Sequence, residues 1–167
     1  KSEVIKEENL FILCKYSYYI FAEYLLKEKD IDVNQIDESN KVVIEDIEVD
    51  KIVDDEVFDS PIVISVIKKI TIQRTPLFIA TKKQDIDIIK LLLSKDNIDI
   101  NILNKSLTIE KPARRNLYPN EIKTQTNALN TAIKIGNQEI INLLLSNDKI
   151  DTNIKDIYDD LHKWGPG

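Results

Sequence analysis

Carboxylates crowd one stretch of this chain: Glu45, Asp46, Glu48, Asp50, Asp54, Asp55, Glu56 and Asp59. Asp50, Asp54, Asp55 and Asp59 are hard oxygen ligands of the kind calcium takes. Their spacing argues against such a site, because the helix-loop-helix calcium loop needs Asp-x-Asp-x-Asp-Gly with a distal Glu, and no glycine stands here to make its sharp turn. A solvated, charged tip that blocks edge-to-edge strand pairing accounts for them better. The other reactive groups are sparse. Cys14 is the only cysteine and His162 the only histidine, and they stand far apart in the chain. There is no Gly-rich phosphate loop, no Cys-x-x-Cys pair and no serine elbow. The expectation is a protein that is not an enzyme and uses no metal or cofactor. Against the acidic stretch stands a basic one, with Lys111, Arg114 and Arg115 close together.

What could position such groups is a recurring pattern. Thr75-Pro76-Leu77-Phe78-Ile79-Ala80 leads to Ile88-Ile89-Lys90-Leu91-Leu92-Leu93 and closes on Ile98-Asp99-Ile100-Asn101. The same blocks return, in phase, as Asn127-Ala128-Leu129-Asn130-Thr131-Ala132, Ile140-Ile141-Asn142-Leu143-Leu144-Leu145 and Ile150-Asp151-Thr152-Asn153. A weaker copy opens the chain, with Asn9-Leu10-Phe11-Ile12-Leu13, Phe21-Ala22-Glu23-Tyr24-Leu25-Leu26 and Ile31-Asp32-Val33-Asn34. Pro76 suits the first position of a helix, where its missing N–H costs nothing, and Thr75 can cap that helix. Leu77 and Ala80 then share one face of a short first helix, while Ile88, Ile89, Leu92 and Leu93 share one face of a second. A single helix pair cannot bury its own apolar stripe, so neighbouring copies must stack.

The Thr-Pro-Leu-x-x-Ala start, the Ile-Ile-x-Leu-Leu-Leu stripe and the Ile-Asp-x-Asn finish resemble the ankyrin repeat, a unit of about 33 residues with a turn and two antiparallel helices. The resemblance covers residues 8–34, 75–101 and 127–153. The sequence departs from the family in its glycines. Only Gly136 stands where the chain turns through the left-handed region after a first helix, and Ser17 and Gln84 occupy the counterpart places.

The copies are spaced unevenly, so two segments are inserted. Residues 35–74 are rich in Val, Ile and Thr and carry no Leu stripe, which favours strands. Val42 to Val53 and Ile62 to Ile72 read as a hairpin turning around Asp54 to Asp59. Residues 102–126 read the same way, with strands from Ile102 to Ile109 and Ile122 to Thr126. The expected fold is mainly α: an ankyrin-type α-solenoid of helix-turn-helix repeats with two β-hairpin finger insertions on one edge, forming one domain over 1–167.

Composition bounds the setting. A net charge of −6 argues against broad nucleic-acid binding, which needs Lys and Arg concentrated on one surface. No run of 18 apolar residues is present to cross a membrane. One cysteine allows no internal disulfide, which fits a reducing, cytoplasmic compartment, and Cys14 reads as a buried core residue.

Aligning the copies puts Lys15, Lys82 and Lys134 at one equivalent position, late in each first helix, where the resemblance implies contact with a partner along a concave groove. With Arg74 and Lys83 they would form a basic stripe for an acidic protein partner. The plainer reading is a favourable interaction of each cation with its helix dipole, about 0.3–1 kcal/mol. Tyr16, Tyr18, Tyr19 and Tyr24 either finish the end of the stack or form a contact patch. The expected function is a non-catalytic scaffold binding a protein partner through Lys15, Tyr16, Arg74, Lys82, Lys83, Lys111, Arg114, Arg115 and Lys134. The alternatives are a regulatory segment of a larger enzyme or effector, or a structural component of a larger assembly.

Overall fold

In the computed structural model, residues 9–49, 52–53, 56–57, 62–112 and 120–162 are described. They fall into two compact units, one formed by Lys1–Glu38, Gln73–Lys105 and Gln125–Ile157, the other by Ser39–Ile72, Ser106–Thr124 and Tyr158–Gly167.

The first unit holds three helix pairs: α1 (Asn9–Lys15) with α2 (Tyr19–Glu28), α3 (Pro76–Lys83) with α4 (Ile86–Leu93), and α5 (Ala128–Ile135) with α6 (Gln138–Leu145). First helices pack in the series α1, α3, α5 and second helices in the series α2, α4, α6. Local chemistry sets where the helices begin. The Thr75 hydroxyl accepts from the Phe78 N–H at 3.2 Å with Pro76 at the first turn, and the Asn127 side-chain Oδ1 accepts from the Asn130 N–H at 2.8 Å. Second helices are capped alike, Asp85 accepting from the Ile88 N–H and Asn137 from the Ile140 N–H, both at 3.2 Å. In the first pair α2 begins after Tyr18 with no side-chain cap, so that pair rests more on packing.

All three first helices hand over to the second through a left-handed residue, Ser17 at φ 59°, Gln84 at φ 56° and Gly136 at φ 79°. The turn is therefore kept where the glycine is not, at a cost of about 1–2 kcal/mol for a residue with a Cβ. Space is no obstacle at Gly136, because a Cβ there would meet nothing within 4 Å. Gly136→Ala should accordingly lower stability by about 1 kcal/mol through backbone strain alone. Urea unfolding checks this, and an unchanged midpoint would contradict it.

The core of this unit is one seam in which Leu10, Cys14, Ala22 and Leu25, then Leu77, Ala80, Ile88, Ile89 and Leu92, then Leu129, Ala132, Ile140 and Leu144 are buried. The Ile-Asp-x-Asn turns tie the pairs together beside it. Asn34 donates to the Asn97 carbonyl and accepts from the Asp99 N–H, each at 2.7 Å; Asn101 repeats this one step on, donating to the Lys149 carbonyl at 2.8 Å and accepting from the Asp151 N–H at 2.9 Å.

The strands are β1 (Asp37–Val49), β2 (Ile52–Val53), β3 (Glu56–Val57), β4 (Ile62–Arg74), β5 (Asn104–Pro112), β6 (Asn120–Thr126) and β7 (Ile157–His162). β2 and β3 pair antiparallel, Ile52 opposite Val57 and Val53 opposite Glu56. The rest form one five-stranded sheet in the order β1-β4-β5-β6-β7. β1 and β4 run antiparallel, since their side-chain hydrogen bonds step up one strand and down the other: Asn40 with Thr71 at 2.8 Å, then Asp46 with Ser65 at 2.6 Å. Lys68 of β4 reaches Glu45 of β1 at 2.6 Å and Glu110 of β5 at 3.5 Å.

This sheet corrects the expectation of a mainly α fold. Among the described residues strand slightly exceeds helix, and the hairpins are not separate fingers, because β4 pairs with β5 and a fifth strand, β7, adds to β6. The reason is energetic: a lone two-stranded hairpin is marginal in water, and its free edges are templates for further pairing. Ile64 and Val66 of β4, which a two-stranded finger would leave wet, are buried.

Candidate functional site

Lys15 ends α1, Lys82 and Lys83 lie in the last turn of α3, and Lys134 lies in the last turn of α5. Because these helices pack in series, equivalent positions succeed one another along the unit. All four lysines are exposed, but their surroundings differ. Lys134 is paired with Asp156 at 2.5 Å, and Asn130 donates to the same carboxylate at 2.9 Å. Burial alone works against ionisation of Asp156, but hydrogen bonds from Lys134, Asn130 and Thr126 and the Lys134 charge outweigh it, holding the carboxyl below its usual range. Lys15 and Lys82 instead lie over aromatic rings of their own helix ends, Tyr16 at 5.5 Å and Phe78 at 5.6 Å from the ring centres. Lys83 has no ion pair among the described residues. Of these four lysines, Lys15, Lys82 and Lys83 thus have no carboxylate partner among the described residues.

Arg74 ends β4 and bonds Asp37 at 3.2 Å, with its Nε buried and without a partner among the described residues. Lys111 is exposed on β5. Arg114 and Arg115 lie outside the described residues, as do Asp50, Asp54, Asp55 and Asp59 of the acidic stretch. Tyr16, Tyr18, Tyr19 and Tyr24 are all exposed, and the Tyr16 and Tyr18 rings sit 6.1 Å apart. At 37–57% exposure each ring keeps part of its surface packed and part in water.

Cys14 is fully buried, and burial, reinforced by the charge of Asp85, pushes its thiol up to about 12. It stays protonated near neutrality and is no nucleophile. Between α4 and α6 an open depression is lined by Lys90, Leu93, Ser94, Leu143, Ser146 and Asn147, too open to enclose a small molecule.

Three positioning residues escaped the sequence reading. Asp37, Asn104 and Asp156 each stand three residues after the Asn of an Ile-Asp-x-Asn turn. Asp37 holds Arg74, Asp156 holds Lys134, and the buried Asn104 accepts from the Thr75 N–H at 2.9 Å while donating to the Thr126 carbonyl at 3.3 Å. Extending the alignment of the copies by three residues would have shown a polar side chain at each.

The family model described as ankyrin repeats (3 copies) matches residues 68–156, more than half of the chain, with the first helix pair outside the matched part. No curated protein and no solved structure gives a significant match. Thr-Pro-Leu capping, left-handed handover and the asparagine ladder agree with that match, and the chain belongs to the ankyrin repeat family.

Proposed function

We propose that this chain is a non-catalytic protein-binding module that holds an acidic partner segment along the C-terminal ends of α1 and α3. Ankyrin repeats are generally protein–protein interaction modules, which supports the class. The observation that carries the finer reading is the set of three exposed cations, Lys15, Lys82 and Lys83, without a carboxylate partner among the described residues, while Lys134 at the equivalent place is neutralised by Asp156. The helix dipole stabilises such cations without any partner. What it does not supply is a specific anion, so an acidic peptide gains charge steering and salt-sensitive affinity there. The buried, protonated Cys14 is compatible with a reducing cytoplasmic setting.

The test is titration of a labelled Glu/Asp-rich peptide, followed by anisotropy over a salt series. Lys82→Glu with Lys83→Glu should weaken binding at least about tenfold, and because it sets anions where the α3 dipole favours cations it should cost about 1–2 kcal/mol of stability without unfolding the unit. Affinity that is flat with salt, or unmoved by the reversal, would refute the reading.

A further inference from the structure

Among the described residues, both outer faces of the three-pair stack carry exposed apolar side chains. In the second and third pairs, Ile79 and Thr131 occupy one equivalent position and are 6% and 5% exposed, while their counterpart in the first pair, Ile12, is 50% exposed. At another such position Ile88 and Ile140 are both 0% exposed, and Phe21 is 57% exposed. The pairs that bury these positions have a helix pair packed before them, and the first has none among the described residues. The mirror relation holds at the other end. Cys14 and Thr81, each followed by a pair, are 0% exposed, whereas their counterpart Ile133 is 54% exposed, and Leu145 of α6 is 47% exposed. Terminal repeats of a soluble stack ordinarily turn a polar face outward. Here the outer faces carry large apolar residues, Ile12 and Phe21 on one and Ile133 on the other, at positions that the inner junctions bury.

The asparagine ladder breaks off in the same way. Asn153 has the turn geometry of Asn34 and Asn101, its N–H donating to the Asp151 carboxylate at 2.9 Å, but among the described residues its exposed carboxamide makes neither of the two bonds that the others make to a following pair. At the opposite end the Asp30 carbonyl and the Asp32 N–H stand at the counterpart places of Asn97 and Asp99, which receive those bonds inside the unit.

We propose that copies of this chain associate head to tail through these faces. Phe21, Ile12 and Tyr24 of one copy cover Ile133 and Leu145 of the next, and Asn153 bridges to Asp30 and Asp32 across the junction. The occupant is a second copy because one chain carries both a leading and a trailing face at the positions through which its own pairs pack, and both halves of the asparagine ladder that joins them. The faces are different surfaces, so the association is heterologous, and unless the rotation closes a ring it extends with concentration. The proposal is independent of the lysine reading, since none of its residues is shared.

Sedimentation velocity over a concentration series tests it with two blocked variants. The unaltered chain should grow in mass with concentration, and Phe21→Glu and Ile133→Glu should each be monomeric alone. Mixed, they should form a one-to-one complex that grows no further, because the intact leading face of the second meets the intact trailing face of the first. Asn153→Ala introduced into the Phe21→Glu partner should weaken that complex about tenfold, through two lost hydrogen bonds. Should either glutamate disturb the helical circular dichroism, Tyr24→Glu and Leu145→Glu block the same faces. An unaltered chain that stays monomeric up to its solubility limit, or blocked variants that fail to combine, would overturn the proposal. Lys82→Glu with Lys83→Glu should leave the association unchanged, which separates its failure from that of the peptide-binding reading.

Discussion

Leu92→Asp should leave the helical unit unfolded at room temperature, with the helical circular dichroism signal lost and no cooperative urea transition. Leu92 is fully buried on α4, the middle member of the series α2, α4, α6, and its counterparts Leu25 and Leu144 are fully buried too. Removing the leucine side chain alone costs about 2–5 kcal/mol. A carboxylate at that place adds a penalty of several kcal/mol whether it is desolvated as an ion or held neutral. Together these approach the whole stability of an ordinary domain, about 5–15 kcal/mol. Position matters as much as chemistry, because a stack is held by nearest-neighbour contacts and the middle pair takes part in both junctions. Ile36→Asp is the control: Ile36 is exposed, and its replacement should shift stability by no more than about 0.5 kcal/mol. A cooperative transition retained in Leu92→Asp would mean that the stripe is not the seam of the unit.

The second large effect is expected at a polar residue. Asn104→Ala should destabilise the protein by about 3 kcal/mol, because it removes the acceptor for the buried Thr75 N–H and the donor to two carbonyls, leaving the Thr75 amide unsatisfied. Thr75 is also the cap of α3, and its hydroxyl lies 3.3 Å from the same Asn104 oxygen. Asn104→Asp separates the two halves of the role. It keeps an acceptor for Thr75 but sets a carboxylate against the Ile102 and Thr126 carbonyls, so it should recover only part of the loss. Denaturant unfolding of both variants measures the difference, and a loss below about 0.5 kcal/mol in Asn104→Ala would show the contacts to be incidental.

These two predictions were unequally visible in the sequence. Leu92 belongs to a stripe that repeats every helical turn and again in every copy, so its burial is written twice. Asn104 is one asparagine in a chain full of them, and its importance depends on Thr75 and Thr126, which are far from it in sequence. The sequence exposed its function only to the level of class. Lys15, Lys82 and Lys134 look alike in the alignment, yet Asp156 neutralises one of them, and nothing in the residue types says which.

By itself, then, the sequence determined the features that neighbouring residues decide among themselves. Helix starts follow from Thr75, Pro76 and Asn127, because a cap acts over three residues, and Gly136 marks one left-handed turn, whereas the same turn at Ser17 and Gln84 shows only in the structure because neither residue type favours it. Strand-forming segments were legible for a similar reason, since runs of Val, Ile and Thr favour extended backbone. What tertiary structure alone decided is which strand lies beside which, for a backbone edge carries no label of its partner: β4 takes β5 and β6 takes β7, turning two expected hairpins into one sheet. It likewise decided that Ile12 and Phe21 stand in water while Ile79 and Ile88 do not, because burial belongs to the neighbour that covers a residue and not to the residue.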